Sequence, residues 1–216
     1  MQLLAFDKSY RPLSRVRAFF SGLVYARPFV EIAFRGLHVP DISPALRFRY
    51  VDRLSRSVSA AERVCTLLLD NKITDPEERA KLEQSIGESG NPTVISRLLL
   101  ESNPSKPLDL IFSFSISCVM PFDHFPYLLP GDLHLKYVCG ELTESEVKIA
   151  YLSRLSKNAF EILLKYDCGE HEGGILYIFS RAGNVEDARS LLSSSLISDL
   201  TKRFLLEYIR DRLATN

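Results

Sequence analysis

Residues 129–166 read LPGDLHLKYVCGELTESEVKIAYLSRLSKNAFEILLKY, the most informative pattern in this chain of 216 residues. Pro130 suits a first helical turn because its φ is fixed near the helical value. Gly140 breaks this short helix, and Thr143 with Glu146 forms the capping-box pattern that starts a second one. Apolar residues then recur at steps of three and four, which predicts one buried stripe on a long helix. The stripe contains Val147, Tyr151, Leu155, Ala159, Ile162 and Leu163.

A short helix opened by Leu-Pro, a break and a helix opened by Thr-x-x-Glu resemble the F-box, a module that docks a substrate receptor onto the SKP-type adaptor of a cullin-RING ubiquitin ligase. The matching residues are Leu129, Pro130, Leu133, Leu142, Glu146, Val147, Leu155, Ser156, Lys157 and Phe160. The resemblance implies a non-enzymatic protein that recruits a target to the ligase. Its partner-binding residues would be Leu129, Pro130, Leu133, Leu142, Val147 and Leu155. The chain is also similar to small plant-virus suppressors of RNA silencing, which carry a minimal Leu-Pro-x-x-Leu motif.

Two other interpretations of this stretch remain open. The two helices can be an ordinary pair buried in a larger core, because patterning of this kind does not specify a function. Residues 133–138 also alternate between apolar and polar side chains, with Leu133, Leu135 and Tyr137 on one side. A period of two predicts a half-buried strand, and a strand there would exclude the F-box interpretation.

The rest of the chain predicts a mainly helical fold with a minor β component. The clearest strand pattern is IFSFSISCV at residues 111–119, where apolar residues alternate with serines. A short apolar run at 175–179 fits either a strand or the first turns of a helix. The loop at 87–92 divides the chain into a basic N-terminal subdomain, 1–88, and a C-terminal subdomain, 89–216, that contains the F-box-like segment 129–165.

Capping residues predict three further helix starts, at Thr74, at Asn184 and at Asp199. The last of these begins an amphipathic helix whose predicted inward residues are Leu200, Phe204, Leu205, Tyr208, Ile209 and Leu213. The phrase FSRAGNVEDARSLL at 179–192 resembles one helix-turn-helix unit of the tetratrico- or pentatricopeptide type. No second copy follows a period of about 34 residues, so the sequence predicts no repeat array.

Positive charge is concentrated in the first third of the chain, although the whole chain has zero net charge. Residues 1–64 contain one lysine and ten arginines against five acidic residues, a net charge of +6. Nucleic-acid binding is therefore an alternative function, with Arg47, Arg49, Arg53 and Arg56 as its candidate residues. Pairing with the acidic remainder of the same chain is the interpretation that the distribution favours, since it needs no outside partner. A structural helical scaffold with no separable site is a further alternative.

The sequence contains no phosphate-binding glycine loop, nucleophile elbow or His-Glu-x-x-His motif, so we expect no enzymatic activity and no cofactor. Two pairs, His134 with Cys139 and Cys168 with His171, would suit zinc if the fold brought them together. The widely spaced cysteines and the lack of a signal peptide predict a cytoplasmic or nuclear protein with reduced thiols. The most apolar early window, 18–34, is too short and too charged to cross a membrane.

Overall fold

The computed structural model describes residues 29–119 and 129–214, and this part of the chain is mainly helical, as predicted. The helices are α1 (29–36), α2 (Pro44–Ser55), α3 (Ala61–Leu69), α4 (Pro76–Glu88), α5 (Pro92–Glu101), α6 (Pro107–Val119), α7 (Gly131–Val138), α8 (Glu144–Lys165), α9 (Glu172–Ala182), α10 (Val185–Leu192) and α11 (Asp199–Ala214). Short 3₁₀ turns at Val58–Ala60 and Gly169–His171 precede α3 and α9. Within these two ranges we find no strand and no helix long and apolar enough to cross a bilayer.

The serine-rich segment 111–119 is helical, so the prediction of a strand there was wrong. Phe114 and Cys118, one helical turn apart, are buried in α6, whereas Phe112 and Ile116 lie on its exposed side. An alternating pattern also contains the four-residue spacing of a helix, which is why period two misleads here. The serine hydroxyls donate to carbonyls three or four residues earlier, as Ser117 does to Ser113 at 2.7 Å.

The other two segments for which a strand was considered are helical as well. Residues 133–138 belong to α7, and residues 175–179 belong to α9. The condition that would have excluded the F-box interpretation, a strand at 133–138, is therefore not met.

The helices are stacked in two rows. The first row is α2, α4, α6, α9 and α11, and the second is α3, α5, α8 and α10, with each helix contacting the next in its row. Each second-row helix also packs on the first-row helix that follows it in the chain. Stacked helical hairpins of this kind are typical of repeat proteins. The hairpins differ too much in length to share one period, so the prediction of no regular repeat array stays a prediction.

Small residues bring the first-row helices together. A Cβ atom added to Gly174 of α9 would lie 2.5 Å from Cβ of Ser115 on α6. On the other side of α6, a Cβ atom on Gly87 of α4 would lie 3.0 Å from Oγ of Ser113. Larger side chains at these contacts would force the helices apart, because packed interiors leave no space for added atoms.

The core is one connected apolar cluster that extends from Val30 to Leu205. All six residues of the predicted α8 stripe are buried, as expected. The predicted subdomain boundary at residue 88 coincides with the end of α4, and α4, α5 and α6 pack on one another across it. In α11, Leu205 is buried, but Leu200 and Leu213 are exposed, so the predicted inward face was too wide.

Three predicted helix starts are close to the observed ones. Asn184 caps α10, accepting a hydrogen bond from the Asp187 amide at 2.7 Å. The caps of α4 and α11 are shifted by one residue: Asp75 replaces the predicted Thr74, and Ser198 accepts from the Thr201 amide where Asp199 was predicted. A short polar residue thus caps each helix as expected, but both the residue and its position are missed by one place in α4 and α11.

The capping box at the start of α8 is present as predicted. Thr143 Oγ1 accepts from the Glu146 amide at 3.4 Å, and a Glu146 carboxylate oxygen accepts from the Thr143 amide at 2.7 Å. The Thr143 hydroxyl also donates to the Glu146 carboxylate at 2.7 Å, and this bond, together with that from the Thr143 amide, lowers the pKa of Glu146 below its usual value.

We predict that Thr143→Ala lowers the free energy of unfolding by about 1 kcal/mol, because the helix loses a cap. Thr143→Ser keeps the hydroxyl and should stay close to the wild type. Urea denaturation measures the difference, with Ser145→Ala, an exposed position in the same turn, as the matched control. Equal stability of Thr143→Ala and Ser145→Ala would contradict the role of the cap.

Candidate protein-docking surface

Helix α7 is an addition to the two rows, attached to the body along one edge. It packs on α8, and Leu133 is its buried residue, with 3% of its surface exposed. The other seven residues of α7 are exposed. Just before the helix, Leu129 is buried, and Pro130 occupies the N-cap position, one residue earlier than the first helical turn in which it was predicted.

An ion pair fixes the first turn of α7 on α8. The Arg154 guanidinium donates two hydrogen bonds to the Asp132 carboxylate, with N–O distances of 2.9 Å and 2.5 Å. These bonds hold the pKa of Asp132 below its usual value and raise the pKa of Arg154. Asp132 also lies at the helix amino end, where the dipole favours negative charge, as expected from the sequence.

A glycine closes the other end of α7. Gly140 has a φ of +72°, a left-handed conformation that other residues adopt at a cost. This turn allows the Glu141 amide to donate to the carbonyl of Lys136 at 2.9 Å. The chain then returns through half-buried Leu142 to the cap of α8. Both ends of α7 are therefore fixed in place while its middle faces solvent.

The six residues that the F-box resemblance assigns to partner binding lie mainly inside the structure. Four of them, Leu129, Leu133, Val147 and Leu155, are buried, and Pro130 and Leu142 are half-buried. In the free chain they hold the α7–α8 segment against the body. Their assignment as partner contacts stays a prediction, and a partner that meets the folded segment reaches other residues first.

The sequence pattern places Val138 with Leu133 on the buried side of the short helix, and this prediction is wrong for Val138. The apolar residues of α7 that face solvent most are Leu135 and Val138. Their exposed fractions are 63% and 67%, and their spacing of three places them on one side of α7. We call this pair the outer face of α7. The sequence does contain this information. An α-helix turns about 100° per residue, so the second and fifth positions after the inward Leu133, which are Leu135 and Val138, point away from the body.

Two of the four candidate nucleic-acid-binding arginines are paired with carboxylates of the chain itself. Arg47 contacts Glu78 of α4 at 2.8 Å, and Arg56 contacts Asp52 at 3.0 Å. The contact between Arg47 and Glu78 joins the basic first third to the acidic remainder, as the intramolecular interpretation expects.

The other two arginines are more accessible to a ligand. Arg49 and Arg53 are exposed on α2, and the guanidinium of Arg53 lies 5.8 Å from the centre of the Phe29 ring. Two exposed cations make a small electrostatic footprint for a polyanion. Nucleic-acid binding through these residues stays a prediction.

The structure does not bring the candidate zinc ligands together. His134 and Cys139 are exposed on and just after α7, whereas Cys168 is buried and the His171 ring lies 5.0 Å from that of Phe112. In the two described ranges, no three His, Cys, Asp or Glu side chains are grouped as metal ligands.

A comparison of the chain with protein-family models, curated proteins and solved structures found no match.

We predict that Asp132→Asn lowers stability at neutral pH by less than about 1 kcal/mol, since the pair is half exposed. The native pKa of Asp132 is lowered, so the ion pair stabilises the fold above the unfolded pKa near 3.8 and is lost as the pH falls through the native pKa. Urea denaturation of both proteins across this range should show the difference disappearing in acid. A difference that persists or grows in acid would contradict it.

We also predict that one of the four thiols reacts rapidly with an aromatic disulfide reagent. Cys139 is exposed, whereas burial raises the pKa of Cys65 to about 11 and of Cys168 to about 12, and raises that of Cys118 as well. Buried thiols with raised pKa values form little thiolate and react slowly. Cys139→Ser should remove the fast phase, and a fast phase that survives this substitution would contradict the burial of the other three thiols.

Proposed function

We propose that this chain is a non-enzymatic interaction protein that docks on the SKP-type adaptor of a cullin-RING ubiquitin ligase through its α7–α8 segment and recruits a target protein to it. The resemblance to plant-virus silencing suppressors would make that target a component of RNA silencing. The observation that carries the proposal is the outer face of α7, where Leu135 and Val138 are exposed on a helix that is fixed at both ends.

Single exposed apolar side chains are normal on a protein surface, whereas neighbouring ones form an apolar patch of the kind that marks an interaction site. Helix α7 loses little conformational entropy on binding, because the Asp132–Arg154 pair and the buried Leu133 already hold it in position. Preorganisation of this kind raises affinity by reducing the ordering cost.

The buried residues of the resemblance take a different part in this proposal. Leu129, Leu133, Val147 and Leu155 support the segment from inside, and the outer face of α7 makes the first contact. The proposal thus separates substitutions that disturb the fold from those that disturb docking.

We predict that Leu135→Asp/Val138→Asp abolishes recovery of the purified adaptor in a pulldown and leaves thermal melting unchanged, because both side chains are exposed. The matched control is Leu206→Asp/Leu213→Asp, which alters two exposed leucines of α11, 57% and 54% exposed. The control should retain adaptor recovery.

Leu133→Ala is the third variant, and it tests the effect of disturbing the fold. It removes a buried side chain and should lower stability by roughly 2–5 kcal/mol, with loss of recovery that follows from unfolding. If the adaptor is recovered equally with wild type and with Leu135→Asp/Val138→Asp, the proposed docking surface is wrong.

A further inference from the structure

Two parts of the chain share the same hydrogen-bonding arrangement, which the sequence alone does not reveal. Gly90-Asn91 precedes α5, and Gly183-Asn184 precedes α10. The Asn91 side chain accepts from the Thr93 and Val94 amides, as that of Asn184 accepts from the amide of Asp187. In both parts, a serine follows the asparagine after 14 residues and stands just before a first-row helix: Ser105 before α6 and Ser198 before α11.

A buried glutamate holds each serine in place. Glu83 of α4, 3% exposed, accepts from the Ser105 amide at 2.8 Å and from its hydroxyl at 2.5 Å. Glu172 of α9, 4% exposed, accepts from the Ser198 amide at 3.1 Å and hydroxyl at 2.6 Å, and from the hydroxyl of Thr201. A buried carboxylate is tolerated only with such partners, so each glutamate fixes the distance between two first-row helices.

A cleft opens beside each of these two glutamate–serine contacts, which we call clamps. The cleft between α4 and α6 measures about 590 Å³, and that between α9 and α11 about 660 Å³. In both clefts, lining residues of the first helix occupy the same five positions relative to its glutamate. They are Ala80, Glu83, Gln84, Gly87 and Glu88 in α4, and Gly169, Glu172, Gly173, Leu176 and Tyr177 in and before α9. The two clefts therefore open on the same side of the array.

The two clefts also have the same balance of charge. The α4/α6 cleft is lined by Lys81 and Lys106 and by Glu83, Glu88 and Asp109. Glu83 is ion-paired with Arg79 at 2.9 Å and Lys81 with Asp52 at 2.7 Å, which leaves Lys106 against Glu88 and Asp109. The α9/α11 cleft is lined by Arg203 against Glu172 and Glu207. Each cleft therefore has one more carboxylate than cations. This balance disfavours a polyanion and favours a ligand with positive charge.

Exposed apolar side chains lie along the same clefts. Phe112 borders the α4/α6 cleft and is 48% exposed; Tyr177 and Leu200 border the α9/α11 cleft and are 38% and 78% exposed. A ligand that fills these clefts therefore meets apolar surface as well as negative charge.

We propose that the two clefts bind one extended segment of the recruited protein, which places a basic and an apolar side chain in each. Packed helices lie 8–10 Å apart, so two steps along the first row separate the clefts by about 16–20 Å. An extended chain advances about 3.3 Å per residue, which sets the two anchor pairs about five or six residues apart. This inference rests on the proposed function, since it describes how the target is held while α7 engages the adaptor.

The test uses a fluorescein-labelled peptide of twelve residues, with two Arg-Leu pairs six residues apart in a Gly-Ser background. Anisotropy titrations with the full chain should show saturable binding of this peptide and at least tenfold weaker binding when both arginines are replaced by glutamate. An oligouridine of the same length should bind more weakly than the basic peptide. Equal binding of the two peptides, absence of binding, or tighter binding of the oligouridine would overturn the proposal.

Variants then locate the binding site. Asp109→Asn/Glu207→Gln removes one exposed carboxylate from each cleft and should weaken binding of the basic peptide at least fivefold. The control, Glu62→Gln/Glu186→Gln, neutralises two exposed carboxylates on second-row helices and should bind as the wild type does. Equal affinities for these two variants would overturn the assignment of the clefts.

The adaptor pulldown separates this inference from the proposed function. Asp109→Asn/Glu207→Gln should retain adaptor recovery, and Leu135→Asp/Val138→Asp should retain peptide binding. Loss of peptide binding in the second variant would place the peptide site at α7 and overturn the inference. Failure of the peptide experiments with intact adaptor recovery would reject the clefts and leave the docking proposal in place.

Discussion

Burial of the apolar stripe of α8 is the constraint on which the rest of the structure depends. In the second row this helix lies between α5 and α10, and it also packs on α9 of the first row. Each fully buried large side chain of its stripe contributes roughly 1.5–3 kcal/mol. Its C-terminal end also holds α5: the Lys165 ammonium donates to the carbonyls of Leu99, Leu100 and Ser102. A cation is favourable there because the last carbonyls of a helix carry partial negative charge.

The position of α7 follows from this packing. Since the inward face of α8 is occupied by α5 and α9, α7 meets α8 through Leu133 and the Asp132–Arg154 pair. Leu133 is the buried residue among the eight of α7, and the other apolar side chains of this helix face solvent. Leu135 and Val138 are thus exposed as a consequence of the array, and this exposure links the fold to the proposed docking function.

Local signals allowed much of this structure to be predicted. The capping box at Thr143, the α8 stripe and the cap at Asn184 depend on residues within a few positions of one another, and all three were confirmed. The serine-rich α6 was mispredicted because its alternation satisfies two periods at once, and the packing of α6 against α4, α5 and α9 favours the helix. The stacking of the rows depends on contacts between distant residues, such as that of Gly174 with Ser115, which no local pattern reports.

The candidate sites likewise divide into features that depend on nearby residues and features that depend on distant ones. The F-box resemblance rests on apolar residues at regular spacing. The core requires the same spacing, so most of those residues are buried. The outer face of α7 could have been inferred from the helical angle relative to Leu133. The clamps of Glu83 and Glu172 could not, because each joins residues more than twenty positions apart. Their shared spacing from Gly-Asn becomes meaningful once the structure shows the contacts.

Hydrogen–deuterium exchange of the full chain, with and without the purified adaptor, tests the central claim most directly. The account predicts slower exchange of the amides of residues 131–139 when the adaptor is present, because binding covers the outer face of α7 and suppresses its local opening. The clefts between first-row helices should keep their exchange rates. Unchanged exchange at 131–139, or slowing confined to other helices, would contradict the claim that α7 is the docking element.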